Sequence, residues 1–225
     1  MKIKNLYYII LLFITVFPIM AFAEEKSSIS NDTSPLSSSS SSSNNTNVVF
    51  ATNTEFIKSN LSAANSNKQA GNNELTQTHT FPPITEVYTL IRDQLSSADN
   101  ELNKTLIDSL KNLTSIVIKS TPAELADSAA SVESLLNKTR IIVIPENEIG
   151  DIKYNMSTLI NLLKTAESEY YIGIANGTIT NISEYQNPHK FVSSANELLN
   201  KTTNSLNQTL ASNLSKIKDS LQELH

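Results

Sequence analysis

The chain of 225 residues has no cysteine and no tryptophan, and only four glycines. Without thiols there is no disulfide framework, no Cys-ligated zinc or iron–sulfur centre and no thiol nucleophile. Four scattered glycines do not build a phosphate-cradling loop. Positive charge is thin as well. Lys and Arg number 17 against 22 Asp and Glu, for a formal net charge of −5. Only Arg92 and Arg140 are arginines, and the bases are scattered singly. A chain without a basic stripe is poorly suited to nucleic acid or an anionic membrane surface, so no nucleic-acid partner is expected.

Histidine is scarce too. His79 lies in a polar stretch, His189 follows Pro188, and His225 is the last residue. All three read as lone surface side chains. No His-Glu-x-x-His and no Gly-x-Ser-x-Gly occurs, which removes the signatures of helix-borne zinc hydrolysis and of the nucleophile elbow. The carboxylate pairs Glu146/Glu148 and Glu167/Glu169 read as solvent-facing charge, and Asp99, Glu101 and Asp108 lack the spacing of a calcium loop. The expectation is therefore no enzyme and no catalytic, cofactor-binding or metal-ligating residue.

What is present divides the chain in three. Residues 1–23 have the parts of a secretory signal. Lys2 and Lys4 precede an apolar run from Leu6, and Ala21-Phe22-Ala23 offers a cleavage site. The rival reading is an uncleaved anchor, since Leu6 to Ala23 is near the lower limit for spanning a bilayer. Residues 24–81 are rich in Ser, Asn and Thr, with an unbroken serine run from Ser37 to Ser43. So few apolar residues predict a disordered stalk.

Residues 82–225 predict an all-α domain, an antiparallel bundle of about four amphipathic helices with two long outer and two shorter middle members. Apolar residues recur every three or four positions, the period of one helical face. The first helix is expected from Ile84 to Ile118, with Ile91, Leu95, Leu106, Leu110, Leu113 and Val117 on its stripe. Thr121-Pro122-Ala123-Glu124 is a capping box that starts the second, which runs to about Thr139 and buries Leu125, Ala129, Val132 and Leu136. Ile141 to Ile144 reads as a buried connection, or as the end of that helix stopped near Pro145. The third helix reaches about Ala175, with Met156, Leu159, Leu163, Ala166 and Tyr170 inside and a stop at Asn176-Gly177. Thr178 to Asn187 reads as a loop. The fourth helix starts near Pro188. Ser96–Thr105 and Ser193–Thr202 match at seven of ten positions, a likeness that a Leu seam in an Asn/Lys/Thr-rich composition produces by itself.

One motif exceeds its background. Asn-x-Ser/Thr occurs twelve times, at Asn31, Asn44, Asn60, Asn103, Asn112, Asn137, Asn155, Asn176, Asn181, Asn200, Asn207 and Asn213. Composition alone yields about six such N-glycan acceptors. Asn176 and Asn181 are the best placed, and Asn213 the worst because it falls on the apolar stripe. Together these features predict a secreted, extracellular, N-glycosylated helical bundle with a binding, coating or interaction role. The alternatives are a carrier of lipid or a small apolar ligand, and a self-associating coiled coil. The expected partner is an unspecified protein or lipid, with no membrane span left after signal cleavage.

Overall fold

The computed structural model describes residues 40–203 and Asp219, with side chains from Thr46 onward. The expected signal at 1–23 and residues 24–39 of the expected stalk lie outside the described residues. In chain order the elements are α1 (Ser40–Gln69), α2 (Asn73–Thr80), a π-helical turn (Pro83–Val87), α3 (Tyr88–Ala98), α4 (Asn100–Ile116), α5 (Pro122–Val143), α6 (Glu146–Ile149), α7 (Ile152–Gly173), the two-residue strands β1 (Ile174–Ala175) and β2 (Thr178–Ile179), α8 (Ile182–Gln186) and α9 (Pro188–Thr203). The all-α class is observed; the arrangement differs from four simple rods.

The largest departure is α1, which occupies much of the expected stalk. Ser, Thr and Asn favour caps and turns because their side chains compete for the backbone. Here they bond within the helix instead. Thr52 donates to the Val48 carbonyl at 2.8 Å and Thr54 to that of Ala51 at 2.7 Å. Asn60 and Asn67 donate to the carbonyls of Phe56 and Ala63 at 3.1 and 2.9 Å. Polar groups satisfied this way can be buried. The few apolar residues then carry the packing: Phe50, Ile57 and Leu61 are almost fully enclosed.

A second departure falls at Asp99. The expected first helix is broken there, because Asp99 is extended (φ −156°, ψ 100°) and its carboxylate accepts from the Leu102 amide at 2.9 Å, starting α4 anew. Tyr88 spans the break by donating to Asn103 Oδ1 at 2.9 Å. The Thr121–Glu124 capping box forms as its sequence requires. Of the two readings of Ile141–Ile144, the helix end holds and the buried connection does not: α5 runs on to Val143 and stops just before Pro145, Ile141 and Ile142 are exposed, and only Ile144 is enclosed. Asn176-Gly177 does not end α7 either. With φ of 52° and 75° the pair forms the two-residue turn between β1 and β2, the conformation this dipeptide favours in hairpins.

The buried apolar residues form two clusters. One joins α1, α3, α4 and α5, around Phe50, Ile91, Leu110 and Leu136. The other joins α7 and α9, around Leu159, Leu163, Phe191 and Ala195. Phe56 of α1 packs against both, meeting Phe191 edge-on at 5.3 Å between ring centres. Beside it, Glu55 is only 7 % exposed. Its Oε1 accepts from Lys58 at 2.8 Å and from Arg140 of α5 at 3.1 Å, and its Oε2 accepts from Ser194 of α9 at 2.8 Å. Burial alone would raise the Glu55 pKa. Lys58, Arg140 and Ser194 outweigh it and hold the carboxylate below its ordinary value. Lys68, also buried, donates to the carbonyls of Val117 and Ile118 at 2.9 and 3.2 Å, closing the C-terminal end of α4 onto α1.

If α1 is part of the core, Phe50→Ala should cost about 3–5 kcal/mol of folding stability. Val49, next to it, is 44 % exposed, and Val49→Ala should cost less than about 1 kcal/mol. Urea denaturation of the two full-length variants, followed by far-ultraviolet circular dichroism, measures the difference. Equal small losses would detach α1 from the core.

Candidate functional site

Polar side chains from four helices meet in a buried seam. α1 supplies Ser59, Asn60 and Asn67, α2 supplies His79, α7 supplies Glu169, and α8 with the residue after it supplies Glu184, Gln186 and Asn187. The local structure explains their convergence. After the hairpin, the amides of Thr180 and Asn181 both donate to the Gly173 carbonyl, at 2.9 and 3.2 Å. Asn181 then caps α8. This folds α8 back over the end of α7. The approach is so close that a Cβ on Gly173 would lie 2.8 Å from the Tyr185 backbone nitrogen. Only glycine fits there.

His79 is 1 % exposed, which corrects its reading as a surface residue of a stalk. Its Nε2 lies 2.8 Å from Gln186 Oε1 and its Nδ1 lies 3.3 Å from Asn60 Oδ1. Gln186 is held by a reciprocal amide pair with Asn67, at 2.8 and 3.3 Å. Both ring nitrogens thus face carbonyl oxygens. A neutral imidazole supplies a proton to one of them; only the imidazolium serves both. Burial nonetheless holds the His79 pKa below its ordinary value, against the Gln186 hydrogen bond and the charge of Glu184.

Glu169 is also buried, which corrects its reading as solvent-facing charge. Asn187 Nδ2 donates to its Oε2 at 3.1 Å. Its pKa is pushed up to about 8, first by burial, then by a hydrogen bond with Glu184, with the charges of Glu184 and Glu86 adding to the rise and Asn187 opposing it. Two carboxyl groups at hydrogen-bond range share a proton rather than ionise together. Asn187 is itself only 4 % exposed, its backbone carbonyl accepts from Ser59 at 2.9 Å, and its side-chain Oδ1 has no hydrogen-bond partner. Among the described residues, no three or more His, Cys, Asp or Glu side chains are grouped to hold a metal ion.

The remaining sequence candidates are dispersed. His189 is exposed at the start of α9, edge-on to Tyr185, and His225 lies outside the described residues. Glu148 accepts from Asn47 at 2.9 Å, joining α6 to α1. Tyr170 is buried beside Tyr185, and Tyr171 is exposed. Of the acceptor asparagines, Asn60, Asn103 and Asn155 are buried. Asn112, Asn137, Asn176 and Asn181 are exposed and Asn200 is half-buried. Asn31, Asn207 and Asn213 lie outside the described residues, and Asn44 is described only as part of α1.

The family model of the iron permease-associated 4-helix bundle domain matches residues 145–225. No curated protein and no solved structure matches the chain. The matched stretch holds α7, α8 and α9, and so Glu169, Glu184 and Asn187 of the seam. The description of the matched family ties that family to an iron permease, a membrane transport system. It overturns the expectation of a secreted, extracellular, N-glycosylated protein with a coating or interaction role. The lipid-carrier and self-associating coiled-coil alternatives fall with it. Of the acceptor triplets, those at Asn60, Asn103 and Asn155 are packed inside, where a glycan would not fit. No nucleic-acid partner is indicated. Among the described residues, no helix is long and apolar enough to cross a membrane.

The seam has a pH signature with a definite sign. The ordinary Glu value is 4.5 and that of Glu169 is about 8. Between them the unfolded chain has released this proton and the folded chain has kept it. The stability due to Glu169 is therefore highest at low pH and falls as pH rises through that window. Glu169→Gln, neutral throughout, should melt level with the wild type near pH 5 and above it near pH 8. Thermal melts across that range are the check, and parallel profiles would refute a shared proton.

Proposed function

We propose that this chain serves iron transport at a membrane, as a helical bundle acting beside or within an iron permease system. The similarity of residues 145–225 to the iron permease-associated domain carries this reading. Three features support it. The chain has a net negative charge, which suits it to meeting cations rather than anionic lipid. The seam gathers carboxylates, the donors that hard cations prefer, at the helices inside the matched region. The apolar stretch from Leu6 to Ala23 would be about 27 Å long as a helix, close to the thickness of a bilayer core. It supplies the attachment, and the helical region faces the aqueous side. The role is handling and delivery, with no chemical conversion.

Deleting the chain from its native cell should reduce accumulation of radioactive iron under iron limitation and leave zinc accumulation unchanged. The protein should also stay with membranes through alkaline carbonate extraction. Undiminished iron uptake in the deletion would overturn the reading.

A further inference from the structure

Helix α2 is held differently from its neighbours. Its buried side chains are Thr76, His79 and Thr80, all polar, and neither apolar cluster contains a residue of α2. Its bonds to other elements are polar too. Lys68 donates to Asn73 Oδ1 at 2.9 Å, Thr114 of α4 donates to the Thr80 carbonyl at 3.3 Å, and His79 meets Asn60 of α1 and Gln186 of α8. Before α2, Gly71 is exposed and left-handed (φ 76°), with open space where a side chain would be.

The His79 ring cannot satisfy both of its contacts while neutral, because the two oxygens are fixed by bonds of their own. The Asn60 amide nitrogen donates to the Phe56 carbonyl at 3.1 Å, which turns Oδ1 toward the ring. Asn67 Nδ2 donates to the Ala63 carbonyl at 2.9 Å, and its reciprocal pair with Gln186 then aims Gln186 Oε1 at Nε2. Neither amide can flip without breaking these bonds. One nitrogen of the neutral ring therefore always presents a lone pair to an oxygen. Protonation removes that conflict, but the contact with Asn60, at 3.3 Å, is long for a hydrogen bond, and the ring is 1 % exposed. An imidazolium in water keeps its full hydration instead. The negative charge acting on the ring is that of half-buried Glu184 of α8. Glu169 of α7 keeps its proton up to about 8, and exposed Glu86 of the π-helical turn acts on Glu169. Lys68 of α1 is engaged at the opposite end of α2, on Asn73 and the Val117 carbonyl, and α4 meets α2 through the Thr114 hydroxyl.

We infer that α2 is an acid-released strap: neutral His79 holds it across α1 and α8, and protonation of the ring frees it while the two apolar clusters stay intact. Opening uncovers hydroxyls and amides, which water satisfies, and removes no side chain from either cluster. A segment of that kind opens locally, at less cost than the whole fold. The sign follows from burial. The docked ring has a pKa below its ordinary value of 6.5, and the released ring returns to that value, so the released form binds the proton more tightly. Docking due to His79 is complete above pH 6.5 and weakens as pH falls from there toward the docked value. That is opposite in sign to the contribution of Glu169. The inference does not rest on the transport reading.

The test is amide hydrogen exchange of the full chain in detergent, read by mass spectrometry as protection factors at pH 7.5 and pH 5. On going to the lower pH, protection of residues 73–80 should fall at least about threefold relative to that of α5. His79→Gln, which has no proton to gain, should abolish this dependence. Should that variant leave α2 unprotected at both pH values, a carbon-13 NMR titration of the wild-type His79 ring decides, and a midpoint below 6.5 is the expected result. Protection of residues 73–80 that holds or rises at pH 5 relative to α5 overturns the strap. So does a pH dependence that persists in His79→Gln, or a ring midpoint at or above the ordinary value.

Discussion

The structure depends on one buried carboxylate. Glu55 stands on a helix rich in small polar residues and reaches α5 through Arg140 and α9 through Ser194, with Lys58 beside it on its own helix. An ion in that position is tolerated only if its partners are complete. The requirement fixes where α5 and α9 lie against α1. The edge-on Phe56–Phe191 contact lies in the same place. The two apolar clusters are thereby joined across one turn of α1. Packing supplies the bulk of the stability and this polar knot supplies its register.

The same turn explains what was legible in the sequence. Helices whose inner face is Leu, Ile, Val and Ala announce themselves by spacing, so Leu125, Ala129, Val132 and Leu136 of α5, and Leu159, Leu163 and Ala166 of α7, are buried as their period requires. The α1 face is different in kind. Alongside Phe50, Ile57 and Leu61 it buries Thr54, Glu55, Ser59, Asn60 and Lys68. Each of these polar side chains, taken singly, counts against burial. The cost is largely cancelled because Thr54 and Asn60 bond to their own helix, while Glu55, Ser59 and Lys68 bond to partners far along the chain. Those partners carry no local signal. The break at Asp99 escapes a reading by spacing for a related reason: the apolar stripe continues in phase across it, and only the capping geometry reveals the new start.

The seam was illegible for want of any short spacing. His79 and Gln186 are 107 positions apart, and Asn67 and Gln186 are 119 apart. Glu169 and Asn187 come together only because a six-residue hairpin reverses the chain between two helices. The acceptor triplets, by contrast, are easy to read in the sequence, but which of them reach the surface is decided by packing: Asn60, Asn103 and Asn155 are buried, while Asn112, Asn137, Asn176 and Asn181 are exposed.

Gly173 has a consequence of another kind. Its backbone is of the ordinary sort, without the positive φ of Gly71 and Gly177, so any residue could adopt its conformation. What forbids a side chain is the Tyr185 backbone lying across it. The position therefore acts as a mechanical gauge. The distance of α8 from α7 is set by the thickness of two bare main chains, the least a polypeptide allows. No adjustment of charge among the seam residues can bring the two helices closer, and the smallest added methyl would wedge them apart. The approach of α8 to α7 at this point is thereby governed by bulk rather than by attraction.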